Sequence, residues 1–209
     1  MAVVSAVLVL VLVSGSVAWW AVVRRGPAPR GLAAASVLAE SVSLRWAPQP
    51  YAETAQRYVV RQDGAPIARL VSRTAYDDAG LTPQARYVYS VTAITGARES
   101  DPTPDLVVWT LPRSPGDARV EWVTTTLLDL VWTPPGGPAP SQYVIQRDRI
   151  DTATVPGSQV TFHDTGLLPA TRCRYTVIAV TGVRRSAPTP VVEAPTSQPP
   201  VTDGRLGGG

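Results

Sequence analysis

Residues 2–23 read AVVSAVLVLVLVSGSVAWWAVV, a run without one charged side chain, and Arg24 and Arg25 follow it at once. A helix rising about 1.5 Å per residue would carry that run roughly 33 Å, close to the hydrocarbon thickness of a bilayer. Trp19 and Trp20 then fall at headgroup level with Arg24 and Arg25 just beyond, where a spanning helix places its interfacial residues. The pattern predicts an uncleaved transmembrane helix over residues 1–25. The competing reading is a secretory signal cut at Ser16-Val17-Ala18. Those small residues suit a cleavage site, but no basic residue precedes the apolar run, which continues past Ala18 to Val23.

Past Arg30 the period of the pattern drops to two. Val42-Ser43-Leu44-Arg45-Trp46 and Tyr87-Val88-Tyr89-Ser90-Val91-Thr92-Ala93 alternate apolar with polar, as do Leu128-Asp129-Leu130-Val131-Trp132 and Cys173-Arg174-Tyr175-Thr176-Val177-Ile178-Ala179. That is the signature of half-buried strands. Turn residues such as Pro48, Gly64, Gly80, Pro134–Gly137 and Gly182 break the runs at short intervals. Short strands, frequent turns and no helical period predict antiparallel sandwiches.

The β-rich part repeats itself. AITGARESDPTP at 93–104 returns as AVTGVRRSAPTP at 179–190, displaced by 86 residues. The same displacement carries Trp46 onto Trp132, Asp78 onto Asp164, Gly80 onto Gly166, Leu81 onto Leu167, Pro83 onto Pro169 and Thr110 onto Thr196. A fixed period sets the architecture. The predicted organisation is a helix over 1–25, a first module over 26–112, a second over 113–197 and a flexible tail over 198–209.

Each module carries a tryptophan closing its second strand, then a Tyr-led apolar strand, then a Leu-x-Pro turn leading into the longest strand. In the first these are Trp46, Tyr58-Val59-Val60 and Leu81-Thr82-Pro83 running to Ala93; in the second, Trp132, Tyr143-Val144-Ile145 and Leu167-Leu168-Pro169 running to Ala179. The set resembles the fibronectin type III domain. The resemblance implies an all-β, immunoglobulin-like sandwich in each module and a habit of binding other proteins, with no catalytic activity attached. It also implies that Tyr87 forms a tyrosine corner, its hydroxyl bonded back to the preceding turn. The second module departs from this, because Cys173 stands where that tyrosine belongs. The second module is therefore expected to be the less stable of the two.

Charge and chemistry narrow the function. All 19 basic residues are Arg, and once Arg24, Arg25 and Arg30 are set aside the rest balance the 16 acidic residues. A nucleic-acid binder needs a concentrated basic face, and none is predicted. Cys173 is the only cysteine, so no internal disulfide can form, and in a strand it reads as a small core hydrophobe. His163 is the only histidine and reads as an exposed strand residue. Asp77-Asp78, the adjacent carboxylate pair, reads as a turn closure before Gly80. No catalytic, metal or cofactor site is predicted, and no small-molecule substrate.

Binding surfaces remain. The displacement sets Val107 and Trp109 against Glu193 and Pro195, so a water-facing Glu193 would turn Val107 and Trp109 outward on the last strand of the first module. Trp109 is expected either to pack against the second module, with Trp122 as a candidate neighbour, or to meet an external partner. Arg98, Arg184 and Arg185 lie in loops at the sandwich ends, where partners are commonly recognised.

Two functional expectations follow. In the first, the chain is a non-catalytic, single-pass structural subunit of the inner membrane. Its N-terminus is outside, its modules are cytoplasmic by the positive-inside rule, and its partners are the bilayer and other membrane subunits of a bioenergetic, photosynthetic or secretory assembly. In the second, it is a periplasmic or extracellular binding protein, adhesive or carbohydrate-associated, with its signal removed.

Overall fold

The computed structural model describes residues 25–49 and 57–199. Trp19, Trp20 and Arg24, with the rest of the apolar run, lie outside the described residues, as do residues 200–209 of the expected tail. Among the described residues no helix is long and apolar enough to cross a membrane, and every regular element is a strand.

The first module contains β1 (Arg30–Val37), β2 (Ser41–Ala47), β3 (Arg57–Gln62), β4 (Ala65–Val71), β5 (Ala75–Ala79), β6 (Arg86–Thr95), β7 (Arg98–Glu99) and β8 (Leu106–Trp109). One sheet is ordered β1-β2-β5; the other is ordered β4-β3-β6, with β7 and β8 both paired to β6. The second module repeats this with β9 (Gly116–Val123), β10 (Leu127–Thr133), β11 (Gln142–Arg147), β12 (Ile150–Pro156), β13 (Thr161–Thr165), β14 (Arg172–Thr181), β15 (Arg184–Arg185) and β16 (Val192–Pro195). Its sheets are β13-β10-β9 and β12-β11-β14, with β15 and β16 on β14. The two predicted sandwiches are therefore present.

The alternation places the core. Val42, Leu44 and Trp46 of β2 are buried while Arg45 between them is exposed, and Tyr89, Val91 and Ala93 of β6 face them from the other sheet. Trp46 meets Tyr58 edge to face at 5.6 Å, and Trp132 meets Tyr143 in the same way at 5.3 Å. An aromatic pair across the two sheets thus anchors each core.

Each module's edge strand is split by prolines, which cannot donate to a ladder. Hydroxyls fill in. The amides of Val91 and Ala93 donate to Thr103 Oγ1 and Ser100 Oγ at 3.1 and 2.9 Å, and those of Val177 and Ala179 donate to Thr189 and Ser186 at 3.0 Å each. This explains the repeated Ser-x-Pro-Thr-Pro.

The tyrosine corner is in place, with the Thr82 amide donating to the Tyr87 hydroxyl at 2.8 Å. Cys173 occupies the equivalent strand position, buried in the second core. Asp78 is not a turn residue. It lies buried in β5 and accepts hydrogen bonds from the Tyr89 hydroxyl at 2.7 Å and Gln62 at 3.2 Å. Asp164 repeats this with Tyr175 at 2.5 Å, and Arg147 stands in for Gln62. Burial, followed by these carboxylates, pushes both tyrosine hydroxyls well above the usual range.

Candidate functional site

The modules are joined by Thr110–Pro115, the stretch between β8 and β9. Thr110 is fully buried; its hydroxyl donates to the Thr82 carbonyl at 2.7 Å and accepts from the Ala85 amide at 3.0 Å. The Leu111 amide donates to the Leu38 carbonyl at 3.1 Å. Pro112 and Pro115 are buried, and their rings fix φ. The linker is thus pinned from both ends.

Polar side chains then clip the modules together. Arg113 donates through Nε to Glu40 Oε1 at 2.8 Å and through Nη1 to the Gly136 carbonyl at 3.2 Å, reaching from the β1–β2 turn of one module to the β10–β11 loop of the other. Ser114 donates to the Ala187 carbonyl, and Gln84 Nε2 donates to the Pro138 carbonyl at 2.8 Å. The Arg184 guanidinium lies 4.8 Å from the Trp109 ring centroid. A cation over an indole is worth about 0.5–1 kcal/mol at a partly exposed site. The Arg113–Glu40 pair is about half exposed and adds less than about 1 kcal/mol. Each clip is weak alone, and together they tie the two modules at this junction.

The expected binding residues separate on this geometry. Val107 and Trp109 are 48% and 44% exposed on the outer side of β8. Trp109 takes Arg184 as its ring partner rather than Trp122, which sits on the outer face of the β13-β10-β9 sheet. Arg184 is half-buried at the junction. Arg185 turns away to grip Asp151 through two bonds of 3.0 and 3.1 Å, and this, with Gln146, holds the Asp151 carboxyl below its usual range. Arg98, the repeat counterpart of Arg184, is exposed, as is Arg25. The Asp101 amide donates to the Gly26 carbonyl at 3.0 Å, so the chain joins the first module at its β6–β7 end, beside Arg98.

Among the described residues catalytic chemistry does not converge elsewhere. His163 lies on an outer sheet face with Nδ1 2.6 Å from Asp129 Oδ1, whereas Cys173 is interior to the other sheet. The two do not meet. Among the described residues no group of three or more His, Cys, Asp or Glu is placed to hold a metal ion. Gln84, Arg113 and Ser114 escaped the sequence reading; the available signal was a pair of polar residues between the linker prolines.

This architecture defines a tandem of immunoglobulin-like sandwich modules. The family model for the fibronectin type III domain matches residues 27–107 and 113–193, and the chain belongs to that family. It is similar to exoglucanase B of Cellulomonas fimi, 28% identical over 199 residues that cover 85% of this chain and 18% of the relative. The chain therefore spans under a fifth of that protein's length. Among solved structures it is similar to a two-domain fibronectin type III segment of chicken tenascin, with 24% identity, a TM-score of 0.50, and coverage of 81% of this chain and 99% of that one. That likeness is one of fold.

Proposed function

We propose that this chain is a non-catalytic spacing and binding unit. Its two modules are held at a set angle, tethered at a membrane surface by residues 2–23, and displayed on the outer side. The observation that carries this reading is the junction. A linker pinned by two buried prolines and clipped by Arg113, Gln84 and Arg184 transmits position from one module to the next instead of letting them swing. Family membership supports a binding or scaffolding role, since fibronectin type III domains are commonly used so. The likeness to an exoglucanase supports the outer side and an association with carbohydrate.

Protease treatment of intact cells tests the placement: cleavage of the modules without lysis is the expected result, and full protection would sink it. A second reading keeps the modules cytoplasmic, as a structural subunit of a membrane assembly. Arg24, Arg25 and Arg30 flanking the apolar run favour it by the positive-inside rule. Protection from protease, together with partners that survive detergent extraction and sizing, is what that reading requires.

A further inference from the structure

Trp122, Asp129 and His163 stand side by side across the three-stranded sheet of the second module. Trp122 on β9 is the register partner of Asp129 on β10, which is in turn the partner of His163 on β13. Leu128 and Leu130 flank Asp129 and are fully buried, so the row faces out. Trp122 is 63% exposed. The register shift that absorbs Glu121 into a bulge also falls here, a device that re-aims a side chain. His163 Nδ1 lies 2.6 Å from Asp129 Oδ1, with the His163 side chain 64% exposed and the Asp129 side chain 25% exposed.

The repeat supplies an internal comparison. The same row in the first module is Ser36–Ser43–Asp77, paired in the same order across β1, β2 and β5. Both modules fold, so the fold does not require an indole, an acid and an imidazole at these positions. An exposed tryptophan costs solubility and contributes little to a core it does not touch. The row is an addition to the second module.

We propose that the Trp122–Asp129–His163 row is a binding site for a saccharide chain, of the β-glucan class. A pyranose ring offers one face of weakly positive C–H groups that lies flat on the negative face of an indole. Its equatorial hydroxyls both donate and accept at the ring edge, which suits a carboxylate and an imidazole together. Two strand spacings separate Trp122 from His163, roughly 10 Å, the reach of two linked sugar rings. The surroundings argue against a protein partner: Arg119, Glu121 and Thr161 stand on the same face, whereas the centre of a protein interface is depleted of charge. An open row across the outer face of a sheet suits a polymer better than a free sugar. The choice of glucan rests on the exported reading above. Binding by the purified chain does not depend on where the cell places it.

Affinity electrophoresis of the full chain through gels containing soluble β-glucan, mannan or no polysaccharide tests the site. Retardation by β-glucan is expected, with Trp122→Ala weakening it roughly tenfold and His163→Ala by a smaller factor. Trp109→Ala, altered at the junction, should keep it. The Trp122 and His163 side chains are exposed, and an unchanged melting temperature of these two variants shows that they fold. No retardation in any gel, or equal retardation of the wild type and Trp122→Ala, overturns the site. Retardation by mannan but not β-glucan overturns the glucan assignment. Protease protection in cells combined with glucan binding in the gel would refute the outer placement and leave the site standing.

Discussion

The Arg184 guanidinium sits 4.8 Å from the centre of the Trp109 indole, so that β15 of the second module rests on the last strand of the first. Neither residue takes part in its own module's core; Trp109 is 44% exposed even with the arginine in place. The pair therefore serves the relation between modules and not the stability of either. A double-mutant cycle with Trp109→Ala and Arg184→Ala should return a coupling of about 0.5–1 kcal/mol by thermal unfolding. Strict additivity would mean that the rings and charges only pass near each other.

The tyrosine corner predicts opposite effects in the two modules. Tyr87→Phe leaves the Thr82 amide without its 2.8 Å acceptor and should destabilise the first module by about 1 kcal/mol. Cys173→Tyr supplies the missing hydroxyl and ring and should raise the second module's melting temperature. Leu168, the repeat counterpart of the Thr82 that meets Tyr87, is 72% exposed, so an added ring has surface to cover. Calorimetry that resolves the two transitions reads both. An unchanged or lowered transition in the cysteine variant would show that position 173 does not serve as a corner.

Much of this was legible in the pattern. The period of 86 and the alternation in β2, β6, β10 and β14 followed from the sequence alone, because a strand with one face in a core must repeat every two residues. Trp109's exposure could be inferred from the acid Glu193, the counterpart of Val107 two residues earlier on the same strand face. Its partner could not, since which arginine meets the ring depends on how the two modules are joined. Asp78 misled for a related reason. An Asp-Asp pair just before Gly80 has the composition of a turn, and only the Tyr89 hydroxyl and the Gln62 amide arriving from the facing sheet make the burial of Asp78 possible. Trp122 was placed near Trp109 by type, whereas the bulge at Glu121 sets it on the outer sheet face.

Asp164 is 4% exposed and accepts hydrogen bonds from Tyr175 at 2.5 Å and Arg147 at 2.8 and 3.0 Å. Burial opposes the Arg147 charge, yet the bond to Asp164 and its charge outweigh that and raise the arginine's pKa. Arg147→Ala removes the cation and should cost about 2 kcal/mol in the second module, a buried-pair figure discounted because the arginine is one-third exposed. Arg147→Gln should cost less, since Gln62 serves Asp78 in the first module. Urea melts of the two variants check the order.

Acid should loosen both modules. The Glu99 carboxyl is held below its ordinary value first by Thr92 and then by Arg61, Asp151 by Arg185 and Gln146, and Glu193 by Arg174 and Arg172. A depressed folded-state pKa adds stability that is complete above the unfolded value. That stability is lost as pH falls through the folded one. The ordinary values here are 4.5 for Glu and 3.8 for Asp. Melting temperature should therefore hold near neutrality and decline below about pH 4.5. Added salt should make the decline shallower, because these groups are exposed to screening.

Residual dipolar couplings of backbone amides in the full chain test the central claim, that the junction holds the modules at a set angle. One alignment tensor should fit β1–β8 and β9–β16 together in the wild type. Two tensors of unequal magnitude should be needed after Arg113 and Arg184 are both replaced by alanine. A wild-type chain that already needs two would contradict the account.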